Sequence, residues 1–247
     1  MAKRQFTAYE INQLTKHGLD PFSLAEIISL NIPVEYITCY AEFKGNDFVV
    51  DPAVLIPRVE TEDLIDIAVD KVKQKNSVIF CDIGTGSGAI GISFALQLEK
   101  KDIRYYGILS DVSKNALSIT GENIENLLPT NNSLKLLQSD LLANYPDIQF
   151  DIIFANLPYI PSNRINELDC SVKDFEPKIA LDGGKDGLKY IRQLLDQATK
   201  FLKPNGVILL EVDDSHTDAS EFSKNWSVDI KLDSNSKNRF WIIHPKG

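Results

Sequence analysis

The sequence is poor in the residues that carry covalent and metal chemistry, with three cysteines, three histidines and one methionine in 247 positions. Cys39, Cys81 and Cys170 lie far apart, without the paired spacing of a zinc site or a redox dithiol, and His17, His216 and His244 are isolated from one another. No metal ligand is assigned. Cys81 falls inside an apolar run and reads as a small buried hydrophobe rather than a nucleophile. Long apolar stretches are also missing, and the Met-Ala-Lys-Arg start runs into polar residues, so no membrane association is expected and the expected location is the cytosol. Positive charge is scarce: 26 basic against 35 acidic side chains give a net charge of -9, with no basic run set apart. That balance repels a polyphosphate and argues against direct nucleic-acid binding. What remains is ordinary globular composition, enough for one large α/β domain and a small appendage, expected to act as a monomer.

From about Val78 onward, apolar runs of strand length alternate with helix-period segments, the pattern of a mainly parallel sheet. Strands are expected near Val78 to Ile83, Tyr105 to Ser110, Leu134 to Gln138, Asp151 to Ala155 and Gly206 to Val212. A helix is expected over Val112 to Leu128, capped by Ser113, with Leu117, Ile119, Ile124 and Leu127 as its buried stripe. Another should span Gly187 to Leu202 and stop before Lys203-Pro204-Asn205-Gly206. Beyond residue 225, Trp226 to Leu232 and Arg239 to His244 read as a hairpin across the polar turn Asp233 to Asn238. The first sixty residues differ: helices at Ala8 to His17 and Pro21 to Ser29, an extended pair around Lys44-Gly45-Asn46, and a helix starting near Thr61 with Glu62 and Asp63 in its first turn. The division drawn is a short N-terminal region over 1–50 and a larger domain over 51–247. A parallel sheet closed by an antiparallel hairpin looks like the Rossmann-like, seven-stranded class I methyltransferase fold.

Phe80-Cys81-Asp82-Ile83 leads into Gly84-Thr85-Gly86-Ser87-Gly88-Ala89, a glycine-rich turn between the first parallel strand and its helix. In a doubly wound sheet this crevice is where ligands sit. The spacing of Gly84, Gly86 and Ala89 also satisfies a dinucleotide fingerprint, so the loop alone leaves a dehydrogenase open. Three acids move the reading toward S-adenosylmethionine. Asp82 beside the glycines suits water or an ammonium group and sits badly next to a pyrophosphate. Asp111, ending the second strand, suits the two ribose hydroxyls. Asp140, followed by Leu141 and Leu142, suits an adenine amino group covered by aliphatic carbon. The competing account is that the three acids merely cap helices or end strands.

The apolar run Ile152-Ile153-Phe154-Ala155 ends in Asn156-Leu157-Pro158-Tyr159 at the same carboxyl edge. An amide nitrogen is a poor nucleophile, because its lone pair is delocalised, and must be held in line with an electrophilic methyl. The side-chain carbonyl of Asn156 and the backbone carbonyl of Leu157 can each accept one N–H of such an amide, while Pro158 stiffens the turn and Tyr159 offers a planar surface.

With these residues in view the sequence resembles the HemK/PrmC family of protein-(glutamine) methyltransferases, whose pattern is N-P-P-Y after the fourth strand. Ile56-Pro57-Arg58-Val59-Glu60-Thr61-Glu62 looks like the family's P-R-x-E-T-E stretch, which borders the active site. Residues 175–188, beginning Phe175-Glu176-Pro177 and ending Asp186-Gly187-Leu188, look like its E-P-x-x-A-L-D-G-G-x-D-G-L element. The resemblance implies S-adenosylmethionine as methyl donor, held by Asp82, Gly84, Thr85, Gly86, Gly88, Asp111, Asp140, Leu141 and Asn156. It implies as substrate the Gly-Gly-Gln glutamine of peptide-chain release factors, met by Arg58, Glu60, Thr61, Asn156, Pro158, Tyr159 and Glu176. Two departures stand out: Leu157 replaces the first proline of the clamp, and the N-terminal recognition region is abbreviated. Arg58 also admits an ion pair with Glu60 or Glu62, residues 182–187 a plain tight turn, and Glu211 a capping role as readily as one facing the site. The alternatives are an adenine-N6 methyltransferase acting on nucleic acid, since the clamp motif is shared with such enzymes, and a non-catalytic cofactor-binding relative.

Overall fold

The computed structural model describes residues 5–24 and 31–246. The chain opens with α1 (Ala8–Lys16), α2 (Pro21–Leu24), α3 (Val34–Thr38) and an antiparallel hairpin, β1 (Tyr40–Phe43) and β2 (Asn46–Val49). Thr7 caps α1 in a reciprocal box with Glu10, so two otherwise unpaired donors are satisfied. The hairpin and first helix follow the sequence expectation, α3 does not appear in it, and the part of the second expected helix beyond Leu24 lies outside the described residues. A 3-10 turn over Val59–Thr61 leads into α4 (Glu62–Val72), then β3 (Ser77–Ile83), α5 (Ala89–Glu99), β4 (Arg104–Asp111), α6 (Lys114–Leu127), β5 (Leu134–Gln138) and β6 (Phe150–Ala155). The second half holds α7 (Cys170–Lys173), α8 (Lys189–Ala198), β7 (Leu202–Glu211), β8 (Trp226–Leu232) and β9 (Asn238–Pro245).

The seven-stranded sheet has the order β5-β4-β3-β6-β7-β9-β8. Its first five members run parallel, β9 is antiparallel to β7, and β8 is antiparallel to β9. Alternation along the strands sorts the core into two layers. Phe80, Phe154 and Leu209 face one side with Phe94 of α5 and Leu64 and Ile65 of α4. Cys81, Ile153, Ile208 and Trp241 face the other with Leu194 and Leu195 of α8. Phe80, Phe94 and Phe154 meet edge to face, each burial contributing roughly 1.5–3 kcal/mol. Phe43 and Phe48 of the hairpin enter the first layer, so the N-terminal region shares the core of the sheet. Among the described residues no helix is long and apolar enough to cross a membrane.

Two local expectations are corrected. The buried face of α6 is Ala116, Thr120 and Asn123, whereas Leu117, Ile119, Ile124 and Leu127 are only half-buried. The reason is that this face carries hydrogen bonds inward: Thr120 Oγ1 donates to the Gly86 carbonyl (2.8 Å), and Asn123 bridges Val49 of the hairpin and the Ser87 carbonyl. Second, α8 ends at Ala198 and the next strand begins at Leu202, before Pro204. The ladder passes from Phe150↔Leu202 to Ile152↔Val207 with a register shift, so Pro204 falls in an irregular stretch where its missing N–H costs no pairing.

Candidate active site

The carboxyl ends of β3, β4, β5 and β6 open onto one cavity of about 360 Å³, within the range of small-molecule sites. Gly84, Thr85, Gly86, Asp111, Asp140, Leu141, Asn156, Leu157, Pro158, Arg58 and Thr61 all line it. Asp82, Gly88, Glu60, Tyr159 and Glu176, also expected at the site, stand behind or beside the wall. The reasons differ.

The glycine loop is braced from within. Thr85 N–H donates to the Ser110 carbonyl (2.8 Å), Gly86 N–H to Asp111 Oδ2 (3.0 Å) and Gly88 N–H to the Thr85 carbonyl (2.8 Å). These three bonds pair loop amides within the protein and hold the loop's shape. Asp111, in contact with one of these amides, gives the loop an acidic rim that sits badly beside a pyrophosphate. Asp82 is buried under the loop, where Oδ2 accepts from Thr85 Oγ1 (2.6 Å) and Gly91 N–H (3.0 Å). Its Oδ1 has no partner among the described residues. Burial first, and then the charge of Asp111, push its carboxyl up to about 6 against the hydrogen bonds that lower it. Asp82 is thus tied to the loop and to α5 from behind the cavity wall. Gly88 sits at the start of α5 with φ of 85°, where a Cβ would strike Ile92 and Thr120, so its role is packing.

Asp111 points its carboxylate along the cavity wall, with Oδ1 held by Ser113 N–H (2.9 Å). Each oxygen keeps a lone pair for a ligand hydroxyl. Asp140 is exposed at the far rim and Leu141 lines the wall beside it, while Leu142 turns into the core. Only one of the two leucines can cover a ring.

Asn156, immediately after β6, donates from Nδ2 to Glu211 Oε2 (3.2 Å). Tyr159 donates its hydroxyl to Glu211 Oε1 (3.1 Å), which fixes the orientation of its ring. Thr61 completes the cluster by donating to Glu211 Oε2 (2.5 Å). Glu211 is the residue that sequence reasoning weighed without resolving. A lone acid closing an apolar strand carries no spacing signal, and only the fold brings donors from residues 61, 156 and 159 to it. Desolvation pushes its carboxyl above the ordinary value despite those donors and the charge of Arg239.

At the mouth, Arg58 pairs with Glu176 (2.5 Å), not with Glu60 or Glu62. Glu62 instead accepts from the Lys44 N–H (2.7 Å), and Glu60 faces Asn235 across 3.5 Å. The pair joins the two long motifs, and Pro57, Pro177, Ile179 and Ala180 beside it line the cavity. Residues 181–187 buttress the clamp: Ile160 N–H donates to the Leu181 carbonyl and Gly183 N–H to the Ile160 carbonyl. Gly187, φ 79°, lies so close to the Tyr159 carbonyl that any Cβ would collide with it. The tight turn is real and serves to support the clamp. Lys189, Tyr190 and Gln193 of α8 and Phe43 of the hairpin also line the cavity, none of them expected from sequence.

A family model described as a methyltransferase domain matches residues 74–241. A release factor glutamine methyltransferase of Lactococcus lactis subsp. lactis is 37% identical over 212 residues, covering 86% of this chain and 73% of that protein. The chain belongs to the release factor glutamine methyltransferase family. The protein of the same description from Clostridium acetobutylicum is 38% identical over 183 residues, 73% of this chain and 62% of its own length. The chain therefore spans somewhat under two thirds of that relative. Among solved structures, a methyltransferase from Pyrococcus furiosus superimposes with a TM-score of 0.56 at 21% identity, covering 83% of this chain and 90% of that one, which speaks for the fold. Against the clamp pattern N-P-P-Y, this member of the family carries Leu157, buried at 6% exposure, with its Cδ2 packed toward Gly84. The leucine side chain thus joins the clamp to the glycine loop.

Proposed function

We propose that the protein transfers a methyl group from S-adenosylmethionine to the side-chain amide nitrogen of a protein glutamine, that of the Gly-Gly-Gln motif of a peptide-chain release factor. The observation that carries this reading is the shared cavity: Asn156 and Leu157 at the end of β6 face the same space as the glycine loop and Asp111. The residues fit that donor, since Asp111 gives the glycine loop an acidic rim and has acceptor capacity for ribose hydroxyls, and Asp140 with Leu141 suits an adenine edge and face.

S-adenosylmethionine supplies an electrophilic methyl on a sulfonium whose departure as a thioether needs no acid. The chain's own part is positioning. Asn156 Oδ1 and the Leu157 carbonyl oxygen each accept one N–H of the target amide, which fixes the nitrogen and raises its electron density. The nitrogen forms its new bond to carbon and then gives up one proton to water, so no strong base is needed. Arg58, held by Glu176 at the mouth, borders the path of the incoming peptide. The region before residue 51 serves substrate recognition in this reading, and the protein works as a cytosolic monomer.

Incubation with labelled S-adenosylmethionine and purified release factor, ribosomal protein and DNA in parallel tests the proposal. Label on a glutamine of the release factor, located by peptide mass spectrometry, is the expected result. Label on DNA alone contradicts it.

A further inference from the structure

Glu211 is 2% exposed and does not line the cavity, so it cannot touch a reacting nitrogen. It nonetheless binds the residue that does. Its Oε2 accepts from Asn156 Nδ2 (3.2 Å) and Thr61 Oγ1 (2.5 Å), and its Oε1 accepts from the Tyr159 hydroxyl (3.1 Å). Three donors converge on two oxygens, which suits a carboxylate with no proton of its own. A primary amide has an oxygen on one side and an NH2 on the other, and turning it over about its last bond exchanges them. Contact with a group that only accepts selects one of the two orientations, with Nδ2 inward.

We propose that Glu211 is a positioning residue: its acceptor-only face holds the Asn156 amide so that Oδ1, and not Nδ2, is presented to the target amide. The inference rests on the methyl-transfer reading above, in which the target brings N–H groups that need acceptors. With Asn156 turned over, NH2 would meet NH2, and the target would lose one of its two anchors. Thr61 and Tyr159 belong to the same device, because each fills an acceptor site on Glu211 and leaves the carboxylate no freedom to rotate away. The sequence stretches around residues 61 and 156–159 are thereby tied to one buried acid on the neighbouring strand.

Four variants test this: Glu211→Met, Glu211→Gln, Asn156→Asp, and Asn156→Asp combined with Glu211→Gln. Each is assayed for methylation rate, for S-adenosylmethionine affinity by calorimetry, and for melting temperature at pH 8. Glu211→Met removes every acceptor and should lower kcat roughly 10- to 100-fold, with cofactor affinity changed by no more than about 3-fold. Glu211→Gln should cost only a few-fold, because the glutamine keeps its oxygen toward Asn156 and turns its NH2 to the Tyr159 hydroxyl. Asn156→Asp sets carboxylate against carboxylate and should lower both rate and melting temperature. Adding Glu211→Gln should then raise the melting temperature again, since the glutamine turns its NH2 toward the new acid. The signature is a coupling between the two positions, with Glu211→Gln raising the melting temperature by clearly more in the Asn156→Asp background than in the wild-type one. The same effect of Glu211→Gln on melting temperature in both backgrounds overturns the inference, as does wild-type kcat in Glu211→Met. Should Glu211→Met fail to fold, the melting-temperature cycle decides alone. Absence of glutamine methylation by the wild-type protein would defeat the functional reading, while the cycle would still report whether Glu211 sets the orientation of residue 156.

Discussion

Asp151 and Glu211 are buried acids at opposite ends of the same sheet, 5% and 2% exposed, and they are satisfied in opposite ways. Asp151, near the amino end of β6, accepts from Lys75 (2.5 Å), Lys203 (2.7 Å) and the Ile79 N–H (2.8 Å). Burial raises its carboxyl, but those bonds outweigh it and hold it below the ordinary value. Glu211, at the carboxyl end of β7, has only neutral donors in contact among the described residues, and burial keeps its carboxyl raised. Asp82 and Asp111, also at that end, are raised as well, with desolvation the leading cause. The amino edge is built for stability, with long lysine side chains reaching in to neutralise one acid. The carboxyl edge tolerates electrostatic cost, and it is the edge that holds the cavity.

Substitutions at the two ends should separate rate from stability. Asn156→Ala removes an acceptor at the carboxyl edge and should lower the methylation rate by on the order of 10²-fold or more with little change in cofactor affinity, read by steady-state kinetics and calorimetry. Equal activity in that variant would break the comparison at once. Asp111→Ala should weaken S-adenosylmethionine binding roughly 10- to 100-fold, since charge-assisted hydrogen bonds are worth about 1.5–3 kcal/mol. Unchanged affinity by calorimetry would discard its ribose role.

At the amino edge, Asp151→Asn should cost about 1.5–3 kcal/mol in urea unfolding at pH 7 and leave kcat unaltered. Because the folded protein depresses this carboxyl, its contribution is present above the unfolded value near 4 and is lost as pH falls. Asp82 has the opposite sign. Its carboxyl is raised to about 6, so its contribution is full below pH ~4 and is lost as pH rises through about 6. Asp82→Asn should therefore gain stability relative to wild type as pH rises from 4 to 7, by about 3 kcal/mol at the upper end. Parallel pH profiles for the two variants would erase the distinction between the edges.

The sequence was most legible at the two edge strands, where polar turn residues bound short runs of strand-forming side chains. Leu134–Gln138 and Trp226–Leu232 are the strands expected, to the residue, and the seven-stranded order follows the family resemblance. It was least legible where polar groups face inward. The inner face of α6 is Ala116, Thr120 and Asn123 because it holds the glycine loop and the hairpin, which no hydrophobic period announces. Motif membership located Gly88, Tyr159 and Glu176 correctly near the cavity but not their tasks, because a task depends on which way a side chain points. Arg58 shows the limit most clearly: its partner is 118 positions away, whereas the sequence offered two acids within four.

The central claim is that two carbonyl oxygens at the tip of β6 receive the target amide. A crystal structure with S-adenosylhomocysteine and a glutamine-containing release-factor peptide tests it most directly. The account predicts the glutamine side-chain nitrogen within about 3 Å of both Asn156 Oδ1 and the Leu157 carbonyl oxygen. A glutamine seated elsewhere in the cavity, or an Asn156 whose amide has left Glu211 and points to solvent, would contradict it.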